Sequence, residues 1–386
     1  MKDMIKMTDE NQLKTFKSHE IVVSKAKGAY IWDINGKKYL DFYGGHAVAL
    51  TGHCHPHVVK AIKKQVEKTI FYSTYLYSDI RAEALEKIVS VAPKNISKVF
   101  LCNSGTEANE TAMKIARKFT GKKKIISMKN SFHGRTIGSL SATGIDHYRK
   151  QFKPLLSGYK FAKFGNIEDL NKVIDKETAG VILEPIQSMG GVVTGTEDYY
   201  KQLSEICEKN GCLLIFDEIQ TGFGRTGKMF ACEHWKIQPD LITFAKGVAS
   251  GIPMGGVLVD EKIADTINYG EHGCTFGSGQ IACASAKATI EVIQNEKLVE
   301  NSSKMGRLIK KKLKDLEQID EVKGLGLLLG LKMNVNVKES IKKGMRYGII
   351  FGDSCDPEVG RLLPPLIINE KHVEEFHEGL KKVFGE

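Results

Sequence analysis

Residues 212–227, CLLIFDEIQTGFGRTG, decide the fold. The apolar run Cys212-Leu213-Leu214-Ile215-Phe216 reads as a strand buried on both faces, as in parallel sheets covered by helices. Residues 222–227 then spell G-x-G-x-x-G, a dinucleotide-binding fingerprint. In that motif the first glycine ends the strand, the third opens a long helix, and an acidic residue follows about 20 residues later. Here Asp217-Glu218-Ile219-Gln220-Thr221 intervenes before the first glycine, and KMFACEHWKIQPDL leaves room for only a short helix before Pro239. The context excludes a dehydrogenase. GFGRTG becomes a turn-rich loop in which Arg225 has no evident role, and two carboxylates remain at the mouth of a buried strand.

The rest of the chain supports that frame. Between residues 56 and 280, helical stretches (HVVKAIKKQVEKTI, DIRAEALEKIVSVA, GTEANETAMKIARKF, TEDYYKQLSEICEKN) alternate with short apolar strands (KVFLC, KKIISM, AGVILEP, CLLIFD, PDLITFA). Such alternation predicts an α/β fold with a mostly parallel sheet under helices. Residues 21–43 read as two or three strands, with an Asn-Gly hairpin turn in DINGKK. After residue 280 a long helix through residues 282–316, a strand pair in EVKGLGLLLGLKM and terminal helices predict a second, smaller layer. The division expected is 1–55, 56–280 and 281–386.

A net charge of +10 points toward an anionic small molecule or nucleic acid. The densest basic run, RLIKKKLKDLEQI, places Leu308, Ile309, Leu313 and Leu316 on one helical stripe, so its lysines form a solvated face. Neither zinc-finger spacing nor an RNA-binding aromatic motif is present, and no nucleic-acid partner is expected. The eight cysteines include no C-x-x-C, and several sit in apolar runs, which predicts reduced thiols and a cytoplasmic protein. Residues 1–20 lack the apolar core of a signal peptide, and no run nears the roughly 20 apolar residues of a membrane span.

Four stretches carry chemistry. Lys246 ends the apolar strand of LITFAKG; burial lowers an ammonium's pKa and makes the amine nucleophilic, as a Schiff-base lysine requires. Asp217, at a neighbouring strand end, is placed to hold a pyridine nitrogen protonated. In VFLCNSGTEANETAMKIARKF a strand meets a helix whose free amides and dipole suit a phosphate; Gly105 permits close approach, and Ser104 with Glu107 fits a capping box. In NSFHGRT, Phe132 is suited to stack on a flat ring and Arg135 to hold a carboxylate. GHCHPHV clusters His53, Cys54, His55 and His57, but Pro56 interrupts the spacing and no metal is expected.

Together, FLCNSGTEANETAMKIAR, SFHGRT, ILEPIQ, LLIFDEIQTGFGRTG, PDLITFAKG, FGSGQIACA and RLLPPLII occur in the order expected of class-III pyridoxal-phosphate aminotransferases. The chain resembles most the acetylornithine/succinylornithine branch, over nearly its whole length. That resemblance implies the type I pyridoxal-phosphate transferase fold: a large domain with a mainly parallel seven-stranded sheet, and a small domain built from both chain ends. It implies pyridoxal 5'-phosphate as cofactor, with Lys246 the Schiff-base lysine and proton shuttle and Asp217 the pyridinium partner. Ile219 takes the place of the branched residue under the ring and Gln220 that of the residue near the ring hydroxyl. Ser104, Gly105 and Thr106 match the phosphate cup, and Phe132 the stacking aromatic. Thr275 resembles the threonine that reaches the phosphate of a neighbouring subunit's cofactor, which implies a homodimer with shared sites. Arg135 and Arg361 resemble the two arginines that grip substrate carboxylates, and Cys274 a lesser substrate contact.

The reaction implied moves the terminal amine of an N-acylornithine to 2-oxoglutarate in two half-reactions, in arginine biosynthesis. Alternatives within the fold are a 4-aminobutyrate or ornithine aminotransferase and a lysine-pathway enzyme acting on a carrier-bound substrate. From another class comes a relative that lost catalysis and became regulatory or nucleic-acid-binding. Two departures stand out. The usual EPxQGEGG is EPIQSMGG, with Met189 where many members carry a glutamate that masks the arginine matching Arg361. The usual GGNPLACA is GSGQIACA, beside Thr275.

Overall fold

The structure, a computed structural model, describes residues 1–385. Its central sheet has seven strands in the order Ile96–Cys102, Gly255–Asp260, Leu241–Phe244, Leu213–Asp217, Thr178–Leu183, Lys124–Met128 and Tyr159–Ala162. Gly255–Asp260 runs antiparallel to both its neighbours, and the other pairs are parallel. Every residue of Thr178–Leu183, Leu213–Asp217 and Leu241–Phe244 is buried, as a sheet covered on both faces demands. Two strands carry little sequence signal. Tyr159–Ala162 is a short edge strand, and Gly255–Asp260 opens with two glycines. Those glycines are required by close approach: a Cβ on Gly256 would lie 2.6 Å from the Phe100 carbonyl oxygen.

The parallel strands end along one edge of the sheet. Ser104, Glu184, Asp217 and Lys246 all leave the sheet there, so topology gathers residues that lie far apart in sequence. The helix Gly105–Thr120 starts at this edge and buries Ala108, Ala112, Ile115 and Ala116. Its cap differs slightly from the expected box. Ser104 Oγ accepts from the Glu107 amide at 3.3 Å, while the Glu107 carboxylate reaches one residue further back, to the Asn103 amide at 3.0 Å.

A second sheet joins the chain ends: Val23–Lys27, Tyr30–Asp33 and Lys38–Asp41 pair in sequence, and Ile349–Ile350 adds to the last of them. Asp33 Oδ1 accepts from the amides of Asn35 and Lys37 and fixes the turn, with Gly36 at φ 83°. Phe42 stacks face to face on Phe376 of the terminal helix Glu370–Phe384, with centroids 4.1 Å apart. A third sheet holds Ile319–Leu325, Leu328–Met333 and Val359–Leu362. No helix among the described residues is long and apolar enough to cross a membrane.

The long helix expected over residues 282–316 is two helices, Gln280–Asn295 and Leu298–Leu313. Lys297 breaks it in the left-handed region, φ 52°, without the glycine or proline that marks such breaks in a sequence. Nor do the histidines of GHCHPHV converge. His53 bonds Asp41, His55 bonds Glu296 and His57 bonds Glu291.

The loop of residues 222–227 has no long helix after it. It lies against Leu298–Leu313 and the hairpin turn at Gly326, where backbones touch. A Cβ on Gly326 would meet the Thr226 carbonyl carbon at 2.3 Å, and one on Gly306 the Gly326 carbonyl oxygen at 2.1 Å. Gly→Ala in a helix ordinarily gains up to about 1 kcal/mol. At Gly306 the clash reverses the sign, and Gly306→Ala is expected to lose about 1–3 kcal/mol, the usual cost of overpacking. Urea denaturation measures this directly; an unchanged or higher midpoint would show that the contact yields.

Candidate active site

A cavity of about 650 Å³ opens at the sheet edge, lined by Ser104, Gly105, Thr106, Phe132, Arg135, Met189, Asp217, Ile219, Gln220, Lys246 and Arg361. Eleven residues singled out in the sequence thus share one space. Cys274 and Thr275 do not line it. The cavity also takes in Tyr43, His46, His133, Tyr148, Glu184, Ser188 and Asp353, which sequence reasoning missed.

Lys246 follows the Leu241–Phe244 strand through Ala245 and adopts φ 47°. A side chain in the left-handed region costs about 1–2 kcal/mol, a strain of the kind that gathers at functional sites. The turn packs tightly: a Cβ on Gly247 would meet the Leu50 side chain at 2.2 Å. Burial pushes the Lys246 amine below the ordinary lysine range; Asp217 and Glu184 oppose that shift, and Arg361 adds to it. The amine is thereby easier to deprotonate than a surface lysine, and so closer to a nucleophile and base.

Asp217 is buried, and its carboxylate accepts three hydrogen bonds, which leaves an acceptor position on Oδ1. Oδ2 accepts from His133 Nδ1 at 2.7 Å and Asn109 Nδ2 at 2.8 Å, and Oδ1 from the Ile219 amide at 3.1 Å. Asn109 also donates to the His133 carbonyl oxygen at 2.7 Å and accepts from Thr243 Oγ1 at 2.7 Å. Donors gathered in this way satisfy a carboxylate held away from water. Glu218, the other strand-end carboxylate, serves the backbone instead. It accepts from the amides of Ala231 and Cys232 and from Thr221 Oγ1. Asn109 was detectable, as a polar residue on the apolar stripe with Ala112, Met113 and Ala116. His133 was not, because its partner is 84 residues away.

At the other end of the cavity is the first turn of Gly105–Thr120. First-turn amides have no partner within their helix, and the dipole there favours an anion. Thr106 Oγ1 lies 2.8 Å from Thr136 Oγ1, which donates to Glu110. A Cβ on Gly105 would lie 2.6 Å from Ile219 Cδ1, so any larger residue would have to displace that side chain where the helix start meets the loop after Asp217. Gln220 Oε1 and His133 Nε2 are buried with no partner among the described residues.

Arg361 is 2 % exposed. Nε donates to the Asp353 carbonyl oxygen at 2.6 Å, Nη1 to Ser188 Oγ at 3.1 Å and Nη2 to Tyr43 Oη at 2.8 Å. All three acceptors are uncharged. A guanidinium has five N–H donors, so one remains on each terminal nitrogen, the pair that grips a carboxylate in two places. Arg135 is exposed, its guanidinium 4.0 Å from the centroid of the Tyr148 ring, which meets Phe132 edge-on at 5.6 Å.

The GSGQIACA departure also has a structural account. The Gln280 side chain accepts from the Tyr72 amide at 2.8 Å and donates to the Tyr72 carbonyl at 3.0 Å. Arg81 donates to the carbonyls of Ser278, Leu76, Tyr72 and Ser73. These bonds bolt residues 72–76 to the segment that carries Cys274 and Thr275. Thr275 is exposed, and Cys274 packs beside Asn103, whose Nδ2 lies 3.1 Å from its sulfur.

Fold and site define an enzyme whose cavity sits at the end of a mainly parallel sheet, with a half-buried lysine, a buried aspartate and a free guanidinium fork on its wall. The family model for aminotransferase class-III matches residues 14–384, and the chain belongs to that pyridoxal-phosphate-dependent family and is a transaminase. It is 43% identical over 373 residues to an acetylornithine aminotransferase of Archaeoglobus fulgidus, covering 97% of this chain and 98% of the relative. It is 42% identical over 371 residues to a [LysW]-aminoadipate semialdehyde/glutamate semialdehyde transaminase of Sulfolobus acidocaldarius, covering 94% and 95%. Among solved structures, an ornithine aminotransferase of Toxoplasma gondii, with PLP at partial occupancy in its active site, superposes with a TM-score of 0.93. Its identity is 30%, over 99% of this chain and 94% of that one.

Glu184 is a third carboxyl at a strand end, accepting from the Phe132 amide at 2.9 Å. Burial pushes it up to about 7, and Asp217 adds to the rise; His133, the Phe132 amide and Lys246 oppose it. A carboxyl raised in the folded state binds more protons there than in the unfolded chain. Stability is therefore lost as pH climbs from the ordinary glutamate value to about 7, and the loss is constant above that. Glu184→Gln cannot ionise. Its unfolding free energy relative to wild type is expected to rise by about 1–3 kcal/mol from acid to pH 8. Denaturation of the cofactor-free proteins across that range tests this, and a flat difference would mean that Glu184 does not titrate there.

Proposed function

We propose that this transaminase moves the terminal amine of an N-acylornithine, of the acetylornithine kind, to 2-oxoglutarate, giving a semialdehyde and glutamate. The observation that carries the reading is one cavity holding Lys246, Asp217 and an Arg361 whose fork is bound only by neutral groups. The residues present fit pyridoxal phosphate: a glycine-started helix turn, orphaned polar atoms on His133 and Gln220, and a half-buried lysine in the same cavity as a buried aspartate. Ser104, Gly105 and Thr106 would hold its phosphate, Phe132 and Ile219 its ring faces, Gln220 its hydroxyl side, Asp217 its ring nitrogen and Lys246 its carbonyl. When bound, the cofactor supplies an electron sink for the charge left on the donor carbon.

The chain's own groups do the rest. Lys246 takes the proton from the donor carbon and returns it, a task suited to an amine whose pKa burial has lowered. Asp217 is held in place by the donors His133, Asn109 and the Ile219 amide. Arg361 offers its two free N–H groups to a substrate carboxylate, and Arg135, stacked on Tyr148, offers a second cationic group near the mouth.

Thr275 lies outside this chain's own cavity, next to an exposed apolar strip of Ile70, Phe71, Tyr72, Tyr75, Leu76, Tyr77 and Phe276. Strips of this kind mark protein contacts. The arrangement supports a homodimer in which each copy's Thr275, with Cys274 behind it, completes the other's phosphate end. The proposed divisions at residues 55 and 280 follow the shift from the end-joining sheet to the central sheet and back. The thiols are all unpaired, which suits the cytoplasm.

Lys246→Ala is expected to abolish multiple-turnover transamination while cofactor is still captured, weakly. Near-normal turnover in that variant would sink the assignment. The substrate itself is tested by a panel of N-acetylornithine, ornithine, 4-aminobutyrate and glutamate, scored by the change in cofactor absorbance.

Met189 bears on donor choice. Its side chain is uncharged and leaves Arg361 unmasked, so glutamate is expected to bind readily and discrimination in favour of terminal amines to be weak. Met189→Glu should shift the N-acetylornithine to glutamate rate ratio toward the former by about 1–2 kcal/mol, the size of one charged hydrogen bond. Single-turnover rates on both proteins decide it; an unmoved ratio would place donor selection elsewhere.

A further inference from the structure

Arg225, left without a role by the sequence, is wholly buried. Burial pushes its guanidinium down to about 9, with Asp41 opposing, so it remains charged at neutral pH. Its partners are neutral: Nη1 donates to the carbonyl oxygens of Leu327 and Pro364. Nε and Nη2 have no partner among the described residues. Burying a cation without a counter-ion costs several kcal/mol, and a neutral side chain of similar size would avoid that cost. Both bonds come from the one terminal nitrogen, so the reach of the side chain must matter here.

The two acceptors share one ladder. Leu328–Met333 pairs antiparallel with Val359–Leu362, placing Leu329 opposite Leu362 and Gly330 opposite Arg361. The same register carried two residues past Leu329 and Leu362 would set Leu327 against Pro364, just beyond the strand ends. Proline has no N–H, so the ladder cannot continue there. Arg225 supplies the missing bonds. Its carbonyl accepts from the Leu327 amide at 2.9 Å, and its guanidinium bridges the Leu327 and Pro364 carbonyls. Ser302 Oγ donates to the same Arg225 carbonyl at 2.9 Å and locks it in place. The ladder that carries Arg361 is thus tied to the loop that leaves the Asp217 strand.

We propose that Arg225 is a positioning residue for Arg361, fixing the distance between the carboxylate fork and the Lys246–Asp217 end of the cavity and so the length of dicarboxylate accepted. This rests on the reading of Arg361 as the carboxylate-binding residue. Displacing a binding group by about 1 Å can cost up to about a hundredfold. Arg225→Lys keeps the charge, but its nitrogen sits one bond closer to the backbone and falls short of the two carbonyls.

The test uses the cofactor-loaded enzyme and two readouts: calorimetric affinity for glutarate, an unreactive five-carbon dicarboxylate, and the kinetics of 2-oxoglutarate. In Arg225→Lys, glutarate affinity and the KM for 2-oxoglutarate are expected to worsen by at least about tenfold, with kcat changed by less than about threefold. Ser302→Ala, which removes only the bond to the Arg225 carbonyl, should move both in the same direction by about threefold, and it carries the test if Arg225→Lys does not fold. Arg361→Met is the control. If it leaves glutarate affinity intact, the role of Arg361 falls and this proposal falls with it. If Arg361→Met loses glutarate while Arg225→Lys and Ser302→Ala each stay within about twofold of wild type, the positioning role alone is overturned.

Discussion

A carboxylate out of water has to be surrounded by donors, and Asp217 sets that demand at the centre of this molecule. An unpaired buried carboxylate costs several kcal/mol, which a protein of ordinary stability cannot absorb many times. The remedy organises everything nearby. The Gly105–Thr120 helix lies across the sheet so that Asn109 points down at Asp217, and Thr243 on the next strand orients that amide. Residues 131–134 fold back so that His133 can donate, and the Ile219 amide closes the shell. The loop that follows Asp217 then places Ile219 against Gly105, so the charge site and the anion-binding turn are fixed relative to each other.

The second constraint is a buried guanidinium, Arg361, held by an element that is not part of the central sheet. Arg361 comes from the three-stranded sheet, and its neutral partners Tyr43 and Ser188 come from the chain's N-terminal part and from the loop after Thr178–Leu183. Three regions therefore meet at one guanidinium. At the far side of the same sheet, glycines at 306 and 326 let its hairpin turn touch the Leu298–Leu313 helix and the loop of residues 222–227, where no side chain would fit. At Arg361 a charge is held by uncharged groups. That is the arrangement expected of a cation whose counter-ion is the substrate.

Much of this was legible in the chain. Apolar runs ending in Asp217 and Lys246, the helix start at Ser104 and the alternation of strands with helices gave the α/β sheet and its cofactor edge, because period and capping are local properties. The Asn35-Gly36 hairpin was legible for the same reason. Where local signals were weak, the reading fell short. The Gly255–Asp260 strand begins with two glycines, Tyr159–Ala162 is a half-buried edge, and Lys297 breaks a helix with a residue that does not ordinarily break one.

The sequence by itself determined which elements form and which residues carry chemistry, since propensity, amphipathic period and motif order are written along the chain. Only the tertiary structure decided which of those residues act together. It paired Asp217 with His133 and Asn109, and it turned Glu218 to the backbone although it stands next to Asp217. It left Arg361 among neutral partners and Thr275 outside the cavity of its own chain. It also gave the arginine of GFGRTG a place, at the end of a ladder more than a hundred residues away. The physical reason is common to all of these. Burial and hydrogen-bond satisfaction are properties of a packed volume, and no sequence separation encodes which donors will share it.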